Sequence, residues 1–299
     1  MPHPLKTHLT NHTQIQSIIQ KVPVSLVLED LRRVDTLLSY LPMQDEPSTI
    51  EKLFEVIKNE ILHKFILSAN EIIKKSNRQN IENIEDLFSK ALRKLSKHTA
   101  HGELGELILF TLLEVYYEAP KLLSKISLKT SRRMPVFGAD AIHGQYKEDI
   151  FVLYMGESKL RKEFYPAAKE AVNSIKSVSE RYQDEFDLLD SHLDFPDITS
   201  EVEEQLLDLL NPLKPSPEYL QIHYPCFIGF SHPEITYDYG NQNSFIDSYI
   251  ESSHDKISAF FSEIELNGID INHTYLLLLP FESIENLVAR FIDYMGIEK

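Results

Sequence analysis

The sequence contains a single cysteine, Cys226, among its 299 residues. One thiol cannot form a disulfide within the chain, and it cannot supply the several thiolates of a cysteine-based zinc site. Such sparse use of cysteine is typical of proteins in a reducing compartment, so we expect a cytoplasmic protein.

Long hydrophobic runs are also missing. The longest uninterrupted apolar run, Ile150 to Met155, has the length of a strand, whereas a membrane-spanning helix needs about 18 or more apolar residues. The N-terminal residues 1–14 lack the apolar segment of a signal peptide. We therefore expect no association with a membrane.

Several catalytic signatures are absent from the sequence. It has no glycine-rich phosphate-binding loop, no serine nucleophile elbow and no zinc motif. The histidines in and beyond the middle of the chain lack the spacing of metal ligands on a helix, and only His143 is a candidate to support a site indirectly. The chemistry must therefore come from other residue types.

The first third of the chain shows mainly helical spacing of apolar residues. Val24–Leu41 and Thr49–Lys74 each predict a helix, and Asn83 is suited to cap a third one. We expect a helical N-terminal region over residues 1–98, followed by an α/β core over residues 99–299.

The segment His101–Leu113 predicts a buried helix, because it is apolar on almost all sides after its first turn. Glu103 and Glu106 share one side of it, and a buried carboxylate is costly unless it is paired or bound to a metal. Glu103 also suits a first turn, where the helix dipole favours acids. Glu106 lies deeper and is the better candidate for an extra metal ligand. Gly102 and Gly105 would let a strand or a DNA backbone approach closely.

Two strands are predicted next, Val136–His143 and Asp149–Ser158, joined by a polar turn over residues 144–148. The second strand is apolar on both faces until it reaches Glu157-Ser158-Lys159. Side chains alternate along a strand, so Glu157 and Lys159 share a face. If the two strands pair, Asp140 lies beside Glu157.

This set of residue types suits the hydrolysis of a phosphodiester. Mg²⁺ prefers carboxylate, carbonyl, water and phosphate oxygens, so we predict Asp140, Glu157 and the Ser158 carbonyl as ligands of Mg²⁺, with Mn²⁺ as the alternative ion. Lys159 would orient or help to deprotonate the attacking water, or stabilise charge on phosphorus. The competing interpretation is an ordinary Glu–Lys ion pair on a solvated edge.

The rest of the chain predicts further strands and helices. The expected elements are a strand over Leu122–Thr130, helices over Glu163–Gln183, Val202–Leu210 and Ser244–Leu266, strands over Gln221–Phe230 and Thr274–Leu279, and a last helix ending before Gly296. This alternation indicates an α/β fold with a mixed central sheet flanked by helices.

Charge is unevenly distributed over a chain with 30 basic and 46 acidic residues and a net charge of −16. Residues 121–133 carry five basic side chains and no acid, and residues 184–208 carry ten acids and no base. Both runs are typical of solvated surface. Alternatively, the basic run borders the site and Lys129, Arg132 and Arg133 contact a nucleic-acid backbone, while the acidic run faces a partner.

The order of these motifs is similar to the core of PD-(D/E)xK nucleases. The match consists of the helix with Glu106, a strand, Gly138-Ala139-Asp140, a second strand, Glu157-Ser158-Lys159 and a helix. Ala139 stands where the superfamily pattern has proline, a change that leaves the aspartate in place. More narrowly, GELGELILFTLL, FGADAIHG and GESKL resemble the HamA family, the nuclease subunits of Hachiman anti-phage defence systems.

The resemblance implies a restriction-endonuclease-like fold and a metal-dependent DNase that acts with little sequence preference. It also implies that a helicase subunit, HamB, holds the nuclease and frees it after sensing abnormal DNA. Two other interpretations stay open from the residues themselves. One is a non-catalytic subunit on a nuclease-like fold, and the other is a nuclease that cleaves RNA or particular structures, because nothing in the sequence reads a base edge or a 2′-hydroxyl.

Overall fold

One mixed sheet forms the centre of the chain, as the computed structural model describes it for residues 5–42, 49–76, 82–123, 125–128, 138–193, 200–211, 213–214, 217–232 and 242–297. Its strands are β1 Gln20–Lys21, β2 Asp35–Tyr40, β3 Lys121–Leu123, β4 Ala141–Lys147, β5 Ile150–Arg161, β6 Leu220–Ser231 and β7 Thr274–Phe281. Their order is β1-β2-β7-β6-β5-β4-β3. The four central strands, β2, β7, β6 and β5, are parallel to one another. The pairs β1–β2, β5–β4 and β4–β3 are antiparallel.

Helices cover both faces of this sheet. They are α1 His12–Ile18, α2 Thr49–Val56, α3 Leu62–Ile66, α4 Ala69–Ser76, α5 Glu82–Leu92, α6 Ala100–Tyr116, α7 Phe164–Glu180, α8 Tyr182–His192, α9 Ser200–Leu209, α10 Gln242–Leu266 and α11 Ile284–Met295. A π-helical segment, Ile57–Ile61, joins α2 to α3, and 3₁₀ turns occupy Lys125–Leu128 and Ile271–His273. Among the described residues, none of these helices is both long and apolar enough to cross a membrane.

The alternation of side chains along the strands divides the core into two layers. α6 is buried on one face together with apolar residues of α1, α2 and α11. α7 and α10 pack on the opposite face over β6 and β7, and α8 and α9 pack there over β3, β4 and β5. The predicted mixed sheet flanked by helices is therefore confirmed. α6 lies on one side of β5, and α7 and α8 lie on the other.

The helix predicted over Val24–Leu41 is wrong, because residues 35–40 form β2 and pair in parallel with β7. Leu37 is buried against the α6 layer and Leu38 against the α7 layer. A short run that is buried on both sides has apolar residues at all spacings, so it also satisfies a helical pattern. The division of the chain at residue 98 stays a prediction.

Smaller departures concern the ends of elements. β4 continues through Lys147, so the turn contains only residues 148 and 149 rather than 144–148. Gln145 is tolerated in the strand because its amide bonds to the backbone N–H and C=O of Leu5, at 2.8 Å each. Of the strand predicted over Leu122–Thr130, Leu122 and Leu123 lie in β3, whereas Lys125–Leu128 form a 3₁₀ turn. Residues 124, 129 and 130 lie outside the described residues.

The predicted helix Thr49–Lys74 is interrupted, because Leu67 leaves the helical conformation between α3 and α4. The third helix begins at Glu82, so Asn83 lies inside it. The elements predicted beyond residue 160 are confirmed, with ends that shift by a few residues. Val136 and Phe137 lie outside the described residues.

Candidate active site

The candidate site lies where β4 and β5 separate. The two strands pair in antiparallel register as far as Ala141, which lies opposite Gly156, and the Asp140 N–H donates to the Gly156 carbonyl at 2.9 Å. Beyond that point, Asp140 Oδ2 accepts hydrogen bonds from the Ser158 N–H at 2.9 Å and from the Ser158 hydroxyl at 3.0 Å. At the N-terminal end of β4, the Asp140 side chain therefore replaces the β4 backbone as the hydrogen-bond partner of Ser158. The predicted pairing of the strands is confirmed.

Strand alternation then sorts the three residues at the end of β5. Leu153 and Met155 are buried against α8, and Tyr154 is buried against the α6 layer. Glu157 lies on the same face of β5 as Leu153 and Met155. It is next to Cys226, which is buried in a cluster with residues of α7. Ser158 lies on the opposite face, towards α6.

Gly105 lets α6 approach β5 at this point. A Cβ on Gly105 would lie 3.3 Å from the Ser158 hydroxyl oxygen and 3.7 Å from the Ser158 Cβ. Real side chains seldom pack that tightly, so the helix passes directly over Ser158. The predicted close approach of a strand is confirmed for Gly105. It is not seen for Gly102, which is exposed.

Glu157 and Lys159 are paired within the site. The Lys159 ammonium donates a hydrogen bond to Glu157 Oε1, and the two side chains are only 16% and 7% exposed, respectively. The Ser174 hydroxyl of α7 also interacts with Glu157. The ion pair is therefore buried rather than part of a solvated edge.

The pKa values show that three charged groups share this space. Burial, followed by the negative charge of Asp140, raises the pKa of Glu157 to about 7. Burial also raises the pKa of Asp140, although the bonds from Ser158 and the charge of Lys159 oppose it. Burial alone would lower the pKa of Lys159, but the two carboxylates raise it. Two neighbouring carboxylates, of which Glu157 is buried and Asp140 is half-buried, therefore share a single ammonium group in the site.

The donor set fits a hard divalent cation. A bound cation favours the ionised form of both carboxylates, which burial opposes. The N–H and C=O of one strand residue point to the same side, so the Ser158 carbonyl also faces Asp140. Over the described parts of the chain, no three or more His, Cys, Asp or Glu side chains form a complete metal cluster. The remaining ligands would thus be water and substrate oxygens, the pattern that Mg²⁺ prefers.

The structure separates the two glutamates of α6. Glu103 accepts hydrogen bonds from the Thr99 hydroxyl at 2.7 Å and from the Ser96 N–H at 3.4 Å, and it thereby ties the start of α6 to the preceding turn. Glu106 lines a small cavity together with Asp140. The position of Glu106 agrees with a role as an extra ligand, which stays a prediction, whereas Glu103 contacts the backbone of the preceding turn.

Two residues that the sequence did not reveal hold the loop before Asp140. The Lys125 ammonium lies 2.9 Å and 2.7 Å from the two carboxylate oxygens of Glu185, and both side chains are buried. Glu185 Oε1 also accepts the Ala139 N–H at 2.9 Å. The available signal was the pair of oppositely charged runs, but 60 residues separate these two positions in the chain.

The basic run contributes less to the surface than predicted. Lys121 is buried and its ammonium donates to backbone carbonyls at the end of α3, including that of Leu67 at 3.0 Å. Lys125 forms the ion pair just described. Lys129, Arg132 and Arg133 lie outside the described residues, so their contact with nucleic acid stays a prediction.

His143 is part of the core. Its Nδ1 lies 2.8 Å from the Ala119 carbonyl and its ring packs against Phe110. Burial lowers the pKa of His143 to about 4, so the ring is neutral near pH 7. It lines the same small cavity as Asp140 and Glu106, which agrees with an indirect, supporting position.

Comparison with known proteins gives one family. A search of curated proteins finds no match. A family model described as HamA matches residues 18–295 of the 299 residues. That range includes every strand of the sheet and every candidate site residue named above. The chain therefore belongs to the HamA family, a component of Hachiman anti-phage defence.

Proposed function

We propose that the chain is a Mg²⁺-dependent deoxyribonuclease, the effector of a defence complex that cleaves DNA with little sequence preference. The observation that carries the proposal is the convergence of Asp140, Glu157 and Lys159 where β4 and β5 separate. A buried carboxylate and a half-buried one beside a half-buried ammonium are groups that suit phosphodiester hydrolysis.

Each residue has a separate task in this proposal. Asp140, Glu157 and the Ser158 carbonyl would hold the ion, with Glu106 as a further candidate, and Mn²⁺ is the alternative to Mg²⁺. When bound, the ion supplies charge neutralisation for the phosphate and a more acidic water. The Lys159 ammonium can donate hydrogen bonds to the attacking water or to a phosphate oxygen. Because the site is largely buried, such interactions are stronger than in bulk water.

The test is the degradation of plasmid and linear DNA by the purified protein, with and without Mg²⁺. We expect Asp140→Ala, Glu157→Ala and Lys159→Ala to abolish cleavage and to leave folding intact. Glu163→Ala and Lys162→Ala serve as matched controls, because both side chains are exposed just beyond the same strand. Cleavage that survives both carboxylate changes would contradict the mechanism.

We further propose that a HamB-like helicase subunit restrains the nuclease and releases it on abnormal DNA. The net charge of −16 disfavours tight binding of DNA by this chain alone. The acids of α8 and α9 agree with a partner-facing surface, since Asp184, Asp187, Asp190, Glu203, Glu204 and Asp208 are exposed. If the isolated chain is inactive, adding the helicase with ATP should release cleavage. RNA offered in place of DNA tests the substrate class.

A non-catalytic subunit is the second candidate, and one observation favours it. One oxygen of each carboxylate already has a partner, since Asp140 Oδ2 accepts from Ser158 and Glu157 Oε1 accepts from Lys159. A decayed site would keep such internal contacts and bind no cation. Calorimetric titration with Mg²⁺ or Mn²⁺ separates the two candidates, because only the nuclease requires binding.

A further inference from the structure

A buried ion pair lies directly behind the loop that carries Asp140. Lys125 and Glu185 come from different parts of the chain, a 3₁₀ turn and the first turn of α8. Their side chains are 7% and 4% exposed and lie 2.7 Å apart at the closest atoms. A buried pair of this kind is weak evidence for a gain in stability, because desolvation opposes the attraction. Its position calls for another explanation.

The ion pair touches the backbone of the Asp140 loop. Glu185 Oε1 accepts the N–H of Ala139, the residue immediately before Asp140. Gly138 has a φ of +102°, and a Cβ there would collide with Glu185 Oε1 and Lys125 Nζ. Glycine is needed at this position for both reasons. The loop before Asp140 therefore packs directly against the ion pair, with no room for a side chain at Gly138.

The helix that contains Glu185, α8, is packed against the sheet. Its neighbours Phe186 and Leu189 are buried in one cluster with Ala139, Ile142 and Met155. The first turn of a helix also favours a carboxylate through the helix dipole. The Glu185 carboxylate therefore has a fixed position from which it can hold the loop.

We propose that Glu185, held in place by Lys125, is a positioning residue that fixes the Asp140 carboxylate for a divalent cation. The inference deepens the proposed function and depends on it. Glu185 acts through the Ala139 N–H and needs no contact with the cation or the DNA. Partners one step removed from a metal typically change its affinity by about 10- to 100-fold.

A pair of double variants isolates this role. Removal of one partner alone would leave a buried charge unpaired and destabilise the fold. Lys125→Met/Glu185→Gln and Lys125→Met/Glu185→Met both remove the two charges and keep the volume. Only the first retains a side-chain oxygen that can accept the Ala139 N–H.

Two readouts are measured on the full chain. Calorimetric titration with Mn²⁺ should give the Gln double variant a Kd within about threefold of the wild-type Kd. The Kd of the Met double variant should be at least about tenfold weaker than that of the wild type. Hydrogen exchange followed by mass spectrometry should show protection of the Ala139 amide in the Gln variant and its loss in the Met variant. Thermal unfolding should be alike in the two variants.

The outcomes separate this inference from the proposed function. Equal Kd values and equal protection in the two double variants would overturn the role of Glu185 and leave the metal site standing. A wild-type chain that binds no Mn²⁺, with the same result for Asp140→Asn, would overturn the metal site and with it the positioning role.

Discussion

Two carboxylate sites in this protein, Glu114 on the one hand and Asp140 with Glu157 on the other, differ in how their charge is satisfied. Glu114 of α6 is fully buried. It accepts the N–H groups of His8, Leu9 and Lys121 at 2.6, 3.1 and 2.9 Å, and the His8 ring lies at 2.9 Å. Burial alone would raise the pKa of Glu114, but these partners lower it. Glu114 is thus a structural acid that ties the N-terminal segment to α6 and β3.

Asp140 and Glu157 show the opposite balance. Burial raises the pKa of both groups despite the bonds from Ser158 and the ammonium of Lys159. A further difference is that Glu157 also faces the negative charge of Asp140. The comparison teaches that burial alone does not identify a functional carboxylate. A shortage of donors and positive charge makes a carboxylate a candidate for cation binding, because a cation can make up that shortage.

The largest effect is expected from Glu157→Gln. This change removes a predicted ligand and should lower the rate of DNA cleavage by at least about 100-fold. Folding should be little affected, because the change removes the repulsion between two neighbouring carboxylates and Asp140 still faces the Lys159 ammonium. The rate of plasmid degradation and the midpoint of urea unfolding measure the two effects. A variant that cleaves DNA at the wild-type rate would place the chemistry elsewhere.

Glu114→Gln should show the reverse behaviour. Its NH₂ group would take the place of one carboxylate oxygen, so either the N–H groups of His8 and Leu9 or the N–H group of Lys121 would lose their acceptor. We expect a loss of about 2–4 kcal/mol in the free energy of unfolding. Urea unfolding at neutral pH gives this value, and Glu163→Gln is the exposed control. Cleavage per folded molecule should be retained. An unchanged stability would mean that the Glu114 contacts contribute little.

A smaller effect is expected from Gly105→Ala. The new methyl group would press on the Ser158 hydroxyl, which donates to Asp140. We expect cleavage to fall by less than about tenfold, since small displacements of reacting groups carry smaller penalties than the 100-fold associated with about 1 Å. Alanine favours the helix by about 1 kcal/mol relative to glycine. This gain opposes the cost of the tight contact with Ser158, so the free energy of unfolding should change little.

Gly102→Ala is the matched control for that change. Its new Cβ would meet only Glu106 Oε1 at 3.9 Å, an ordinary contact. Equal cleavage by the Gly105 and Gly102 variants would show that the approach of α6 to Ser158 has no effect on the site.

The alternation of side chains along a strand was sufficient to predict the orientation of Glu157, Ser158 and Lys159 from the sequence. The alternation of Glu157, Ser158 and Lys159 depends only on the geometry of a strand, and the structure confirms it. Asp140 required the register of two neighbouring strands, which the sequence could suggest because the turn between them is short. The predicted turn was nevertheless too long, since a polar residue such as Gln145 can be satisfied by a distant segment.

Non-local contacts were beyond the sequence. The pairing of Lys125 with Glu185 depends on packing α8 against the sheet, and no spacing along the chain encodes it. The same limit explains the error at β2. Its place between β1 and β7 buries both of its faces, and helical spacing cannot be distinguished from such a pattern.

The most direct test of the central claim is calorimetric titration of the metal-free chain with Mn²⁺. Wild type, Glu114→Gln and the double variant Asp140→Asn/Glu157→Gln are compared under the same conditions. We expect one cation site in the first two proteins and none in the third. Equal binding by all three proteins, or no binding by the wild type, would contradict the claim that Asp140 and Glu157 form a cation site and Glu114 does not.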